Sequence, residues 1–162
     1  MPKIIDRDKY RCELAERAAG FFSKHGYAGV GMRGIADHLG MSKSALYHYF
    51  PTKEALFLAS TKVVMSRTAG APIDTMGSQE AQLAALMDVL RANFGSELTL
   101  VFDYLRGKTP EEIASDEAMQ ISLSTYLNIM ERIVGPERAS QTLSAVMGEL
   151  MLDYLSGGVL SD

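Results

Sequence analysis

Tryptophan is absent from this chain and cysteine occurs once, so no internal disulfide can substitute for a packed core. The helical neighbours of that cysteine, Ala15, Ala19 and Phe22, mark Cys12 as a small core residue rather than a reactive thiol. No apolar run approaches the ~20 residues that a membrane span needs. The opening MPKIIDRDKY is charged where a secretory signal would be apolar, which leads us to expect a cytoplasmic protein. Histidine is scarce, and His25, His38 and His48 show no ligand spacing with Cys12 or with one another. No Asp/Glu cluster completes a metal set, so neither metal nor cofactor is expected. A Ser-His-Asp arrangement, a phosphate-cradling glycine loop and a nucleophile elbow are all missing. Gly29-Val30-Gly31 lacks the strand and third glycine of a dinucleotide fingerprint. Catalysis is therefore not expected.

What is present is apolar material and an uneven distribution of charge. The 162 residues are 47% hydrophobic, enough for a substantial core, and carry a net charge of −4. That total conceals a division. Residues 1–67 hold 11 Lys and Arg against 6 Asp and Glu, whereas residues 68–162 hold 5 against 14. A basic head on an acidic body suits a reader of phosphate backbones joined to a separate regulatory part.

Residues 31–50, GMRGIADHLGMSKSALYHYF, read as two short helices joined by a tight turn. Met32, Ile35, Ala36 and Leu39 recur at i, i+3, i+4 and i+7, and Gly40 stands where a left-handed residue would end the helix. Ser42 is a good N-cap for the second helix, with Ala45, Leu46, Tyr49 and Phe50 inward until Pro51 forbids continuation. Lys43, Ser44, Tyr47 and His48 are left outward. Such a pair is a helix-turn-helix unit, whose second helix enters the DNA major groove. With its flanks FFSKHGY and PTKEAL, the stretch closely resembles the DNA-binding domain of TetR-family transcriptional regulators. Phe22, Gly26, Tyr27, Ile35, Ala36, Gly40, Ser42, Leu46, Tyr47, Tyr49, Phe50, Lys53 and Leu56 carry the resemblance, over about the first third of the chain. It implies DNA contacts from Arg33, Ser42, Lys43, Ser44, Ala45, Tyr47, His48 and Lys53, with Tyr47, His48 and Lys53 near phosphates. Gly31 and Ser44-Ala45 depart from the threonine and the Gly-Thr common in the family, which alters a phosphate contact and some base contacts.

Along the chain, a loose arm at residues 1–5 precedes a first helix, capped by Asp6 or Asp8 and ended by Gly26. Its stripe of Tyr10, Leu14, Ala18, Phe21 and Phe22 reads as scaffolding. Thr52 caps a fourth helix. The segment AGAPIDTMG, residues 69–77, breaks every periodicity and sets the expected domain boundary, 1–68 against 69–162. Ser78 caps the next helix, which Gly95-Ser96 should interrupt before a stripe resumes towards Gly107. Thr109-Pro110-Glu111-Glu112 is a capping box that opens a short helix broken near Ser115. A longer stripe follows, through Met119, Leu123, Tyr126, Leu127, Met130, Ile133 and Val134. The last helix, from Glu137 to about Ser156, is apolar around more than half its girth. Such a helix needs covering on two sides, so Leu143, Val146, Met147, Gly148, Leu150, Met151, Tyr154 and Leu155 are expected in a homodimer interface. In the resembled family the C-terminal helices of two subunits form a four-helix bundle; burial within its own domain is the alternative.

These readings combine into an all-α protein, with an N-terminal helix-turn-helix DNA-binding domain and a C-terminal helical ligand-binding and dimerisation domain. The expected function is that of a repressor, bound as a dimer to a palindromic double-stranded operator and released by a small hydrophobic effector. Met87, Leu90, Phe94, Phe102, Met119, Tyr126 and Met130 are the side chains that would line the effector's pocket, though a solid methionine-rich core fits them equally. A small-molecule sensor, or a protein-interaction module with little specific DNA binding, stays open beside this.

Overall fold

The computed structural model describes residues 6–71 and 77–159. The expected arm at 1–5 and residues 72–76 of the expected linker lie outside them. Among the described residues all regular structure is helical, in eight segments: α1 (Arg7–His25), α2 (Met32–Leu39), α3 (Lys43–Tyr49), α4 (Lys53–Gly70), α5 (Gln79–Leu105), α6 (Pro110–Ala114), α7 (Glu117–Val134) and α8 (Pro136–Ser156). No described helix is long and apolar enough to cross a membrane.

The helix limits follow local chemistry. The Asp6 carboxylate accepts the Asp8 and Lys9 amides at the start of α1, and Gly26 ends that helix at φ 78°. Ser42 accepts the Ala45 amide to start α3, and the box at Thr109 is complete, with Glu112 reaching back to the Thr109 amide. Gly40, at φ 72°, takes the left-handed conformation between α2 and α3 that a side chain would resist. One local expectation fails. Helix α5 does not break at Gly95-Ser96 but runs unbroken from Gln79 to Leu105. The glycine there makes room rather than a break, because a Cβ on Gly95 would collide with the ring of Tyr154 from α8.

The chain folds into two compact units, which divide it differently from the expected 1–68 and 69–162. Of the described residues, the first takes 6–67 and 99–122, the second 68–71, 77–98 and 123–159. In the first unit Leu14, Phe22, Ile35, Leu46, Phe50 and Leu56 are sealed from solvent. The buried Ser60 hydroxyl donates to the Ala15 carbonyl at 2.8 Å, tying α4 to α1. Aromatic packing explains why residues 99–122 belong here. Tyr104 stacks on Phe57 with centroids 4.2 Å apart and meets Tyr27 edge-on at 4.9 Å. Its hydroxyl donates to Asp116 at 2.7 Å, and Lys108 donates to the same oxygen at 2.6 Å. Cys12, expected in the core, is exposed: the buried line of α1 runs through Leu14, Ala15, Ala18 and Phe22 and passes it by.

The second unit is built on Leu90 of α5, Met130 of α7, and Ala139, Leu143, Val146 and Leu150 of α8. Ile129, Ile133 and Val134 form a smaller cluster beside Leu83, Leu86 and Tyr126. Leu123, read as part of the inward stripe of α7, is exposed. The buried Asp153 is paired with Arg91, whose Nε lies 3.0 Å from its carboxylate, as a charge withdrawn from water requires.

Candidate nucleic-acid interface

Helix α3 is positioned from beneath and written on from above. Leu46 and Phe50 are fully buried in the core of the first unit, Ala45 and Tyr49 are half-buried, and Lys43, Ser44, Tyr47 and His48 are exposed. The Ser42 hydroxyl, besides capping the helix, lies 3.1 Å from that of Ser44. Lys43 holds its ammonium 5.6 Å from the centre of the Tyr47 ring, so cation and aromatic face share one patch. Arg33, on α2, is exposed as well. Of the eight residues assigned to DNA contact, Arg33, Ser42, Lys43, Ser44, Tyr47 and His48 are therefore exposed on α2, α3 or the cap between them, Ala45 is half-buried on α3, and Lys53 opens α4.

Lys53, at the start of α4, turns to the head's own backbone. Its ammonium donates to the carbonyls of Tyr27 at 2.9 Å and Val30 at 3.0 Å, and sits 4.2 Å from the centre of the Tyr27 ring. Its two hydrogen bonds close the loop between α1 and α2. From the other side of that loop the Asp103 carboxylate accepts the amides of Tyr27 at 2.8 Å and Ala28 at 2.6 Å. These two amides, Ala28 first, hold the Asp103 carboxyl below the usual carboxylate range. The Tyr27 hydroxyl donates to Glu54 at 2.9 Å; burial first, and then that carboxylate, push the phenol far above its ordinary value. The loop is thus held at its amides, its carbonyls and its side chain.

Helix α1 contributes more than the scaffolding read from its stripe. Arg17 donates to the carbonyls of Leu39 at 3.1 Å and His38 at 3.4 Å, satisfying the open C-terminal end of α2 with a cation where the helix dipole favours one. Arg11 donates to the Tyr49 carbonyl at 3.4 Å while its guanidinium covers the Phe50 ring at 4.9 Å. Arg7 reaches the His48 imidazole at 3.3 Å. The one hint in the sequence was the i, i+4 spacing of Arg7 and Arg11, which places both on one face of α1.

In the second unit the residues assigned to an effector pocket do not stay together. Leu90 and Met130 are buried with Met87, Phe94 and Tyr126 packed against them. Met119 instead packs in the first unit, and Phe102 is 60% exposed, so neither belongs with the other five. Burial, then the Glu97 charge, push the Tyr126 phenol up to about 12, and burial raises the Glu97 carboxyl. The residues assigned to a dimer interface divide as well. Leu143, Val146 and Leu150 are spent on the core of their own unit, with Met147 packed against it. Met151 is half-buried, while Gly148, Tyr154 and Leu155 face solvent.

The model of the bacterial regulatory proteins of the tetR family matches residues 14–60, from the middle of α1 into α4. The helix-turn-helix head belongs to the TetR family. The HTH-type transcriptional regulator PksA of Bacillus subtilis (strain 168) is 37% identical over 67 residues, 41% of this chain and 33% of PksA. The HTH-type transcriptional repressor AcnR of Corynebacterium efficiens is 28% identical over 121 residues, 70% of this chain and 64% of its own. The chain thus spans between about a third and two thirds of the length of these curated relatives. A crystal structure of a possible TetR family transcriptional regulator from Streptomyces coelicolor A3(2) aligns with 86% of this chain and 67% of that one, at a TM-score of 0.51 and 20% identity. That likeness extends the TetR-like fold beyond the head.

Proposed function

We propose that this protein is a DNA-binding transcription regulator, a repressor that reads a palindromic operator as a homodimer and is released by a small hydrophobic effector. The observation that carries the reading is the polarity of α3, with Lys43, Ser44, Tyr47 and His48 exposed over a base of Leu46 and Phe50. A helix anchored so firmly can hold short polar side chains at base edges, while neighbouring cations neutralise phosphates. Two subunits would read half-sites about 34–36 Å apart or a multiple of that. For the dimer, α8 offers Ala145, Gly148, Leu152 and Leu155, exposed residues at helical spacing on one line. For the effector, the support is the apolar group of Met87, Leu90, Phe94, Tyr126 and Met130, with a single phenol among them. An effector acts by its differential affinity for a conformation with a different head separation.

A duplex enriched from a random-sequence pool tests the reading. Wild type should bind it with an affinity that falls steeply as salt rises, and Ser44→Ala should change base preference within each half-site by about 1–3 kcal/mol. Absence of salt-dependent binding would remove the DNA-reading role. Melting temperatures against hydrophobic, cationic and anionic compounds, followed by DNA release with each hit, test the effector. Stabilisation by anions alone would overturn the hydrophobic class.

A further inference from the structure

We infer that Arg7 is a phosphate-contacting residue that extends the DNA-reading surface from α3 onto the start of α1, with Arg11 as the residue that positions it. The inference rests on the DNA-binding reading above, but it concerns a part of the chain outside the family match, which begins at residue 14. Three observations carry it. First, Arg7 Nη2 lies 3.3 Å from His48 Nε2, so a cation on α1 shares the exposed patch of α3. A guanidinium can only donate, so in this contact His48 accepts at Nε2 and carries its proton on Nδ1. Second, Arg11 stands one turn further along the same face and is committed to the Tyr49 carbonyl and the Phe50 ring. That contact fixes the start of α1 against the end of α3. Third, no ion pair with a carboxylate engages Arg7 or Arg11 among the described residues, whereas Arg67 and Arg106 each have one and Arg91 has two.

These facts fit a backbone clamp better than a structural tie. An imidazole nitrogen is a weaker acceptor for a guanidinium than an anionic phosphate oxygen, and among the described residues it engages one of the five Arg7 donors. A phosphate beside His48 would take two of them at once through two of its oxygens, the bidentate geometry for which arginine is suited. Because phosphates repeat along any duplex, this contact adds affinity without sequence preference.

The test is the salt dependence of binding to a mixed-sequence duplex long enough for two half-sites, compared for wild type, Arg7→Ala, Arg7→Lys and Arg7→Ala in a His48→Ala background. Circular dichroism verifies that the exposed substitutions leave the fold intact. Arg7→Ala should weaken binding to enriched and mixed-sequence duplexes by the same factor, and flatten the slope of log K against log salt by about 0.9 for each Arg7 engaged. Arg7→Lys should keep the wild-type slope. The loss from Arg7→Ala should persist in the His48→Ala background. If Arg7→Ala leaves the slope unchanged in a protein that otherwise binds, or if its effect disappears without His48, Arg7 only orients the imidazole and the inference falls while the DNA-binding reading stands. A wild type that binds no duplex at low salt overturns both.

Discussion

A lysine ammonium settles where its donors are best satisfied, and Lys53 finds two backbone carbonyls and a tyrosine face within the head. Lys53→Ala should therefore cost stability, about 1.5–3 kcal/mol for lost charge-assisted hydrogen bonds, and lower the melting temperature by several degrees. The salt slope of DNA binding should not change, in contrast to Arg7→Ala; a flattened slope would return Lys53 to the phosphates. Asp103 supplies the opposite charge to the same loop. Its carboxyl titrates lower folded than unfolded, so its contribution is fully present above the ordinary aspartate value of about 3.9 and is given up as pH falls through the lower folded value. The melting temperature of Asp103→Asn should consequently lie below that of wild type at neutral pH, and the gap should close in acid. A gap that persists at the lowest pH would mean that the amide bonds do not depend on the charge. Neither role was legible in the sequence, because Lys53 finds its carbonyls 26 and 23 residues away and Asp103 its amides 76 and 75 residues away.

Helix ends were readable because caps are local: Asp6, Ser42 and Thr109 each bond amides within three residues. Helix α5 was misread at Gly95 for the complementary reason, since what that glycine accommodates is a ring from α8, far along the chain. Alanine at this position gains about 1 kcal/mol of helix propensity but overpacks against Tyr154, a cost of about 1–3 kcal/mol. We expect Gly95→Ala to be net destabilising and to disturb the edge-on contact between Tyr154 and Phe94. The same substitution in a Tyr154→Ala background should be stabilising, as chemical denaturation of the four proteins would reveal. Equal effects in both backgrounds would show that the ring simply moves aside. The amphipathic stripe of α3 was equally plain from spacing, whereas the arginines of α1 were not: a periodic pattern says which side of a helix is buried but not what its polar side touches.

The proposed dimer would form on the side of α8 turned away from its own core. The apolar excess of that helix was evident from composition, but the sequence could not say which residues its own unit would consume, and Leu143, Val146 and Leu150 proved to be inside. Gly148 has open space where a side chain would stand, so Gly148→Glu should leave the monomer's fold and melting intact while placing a charge in any close helix contact between subunits. Light scattering should give two chains for the wild type and one for the variant; a variant that remains a dimer would place the interface elsewhere. The same molecule carries its own ruler. Because Cys12 is the lone cysteine of the sequence and is exposed on α1, a maleimide dye or nitroxide would label each chain once without any engineered site. In a paired assembly the label-to-label distance would then follow the spread of the two heads on DNA, off DNA and with each candidate effector.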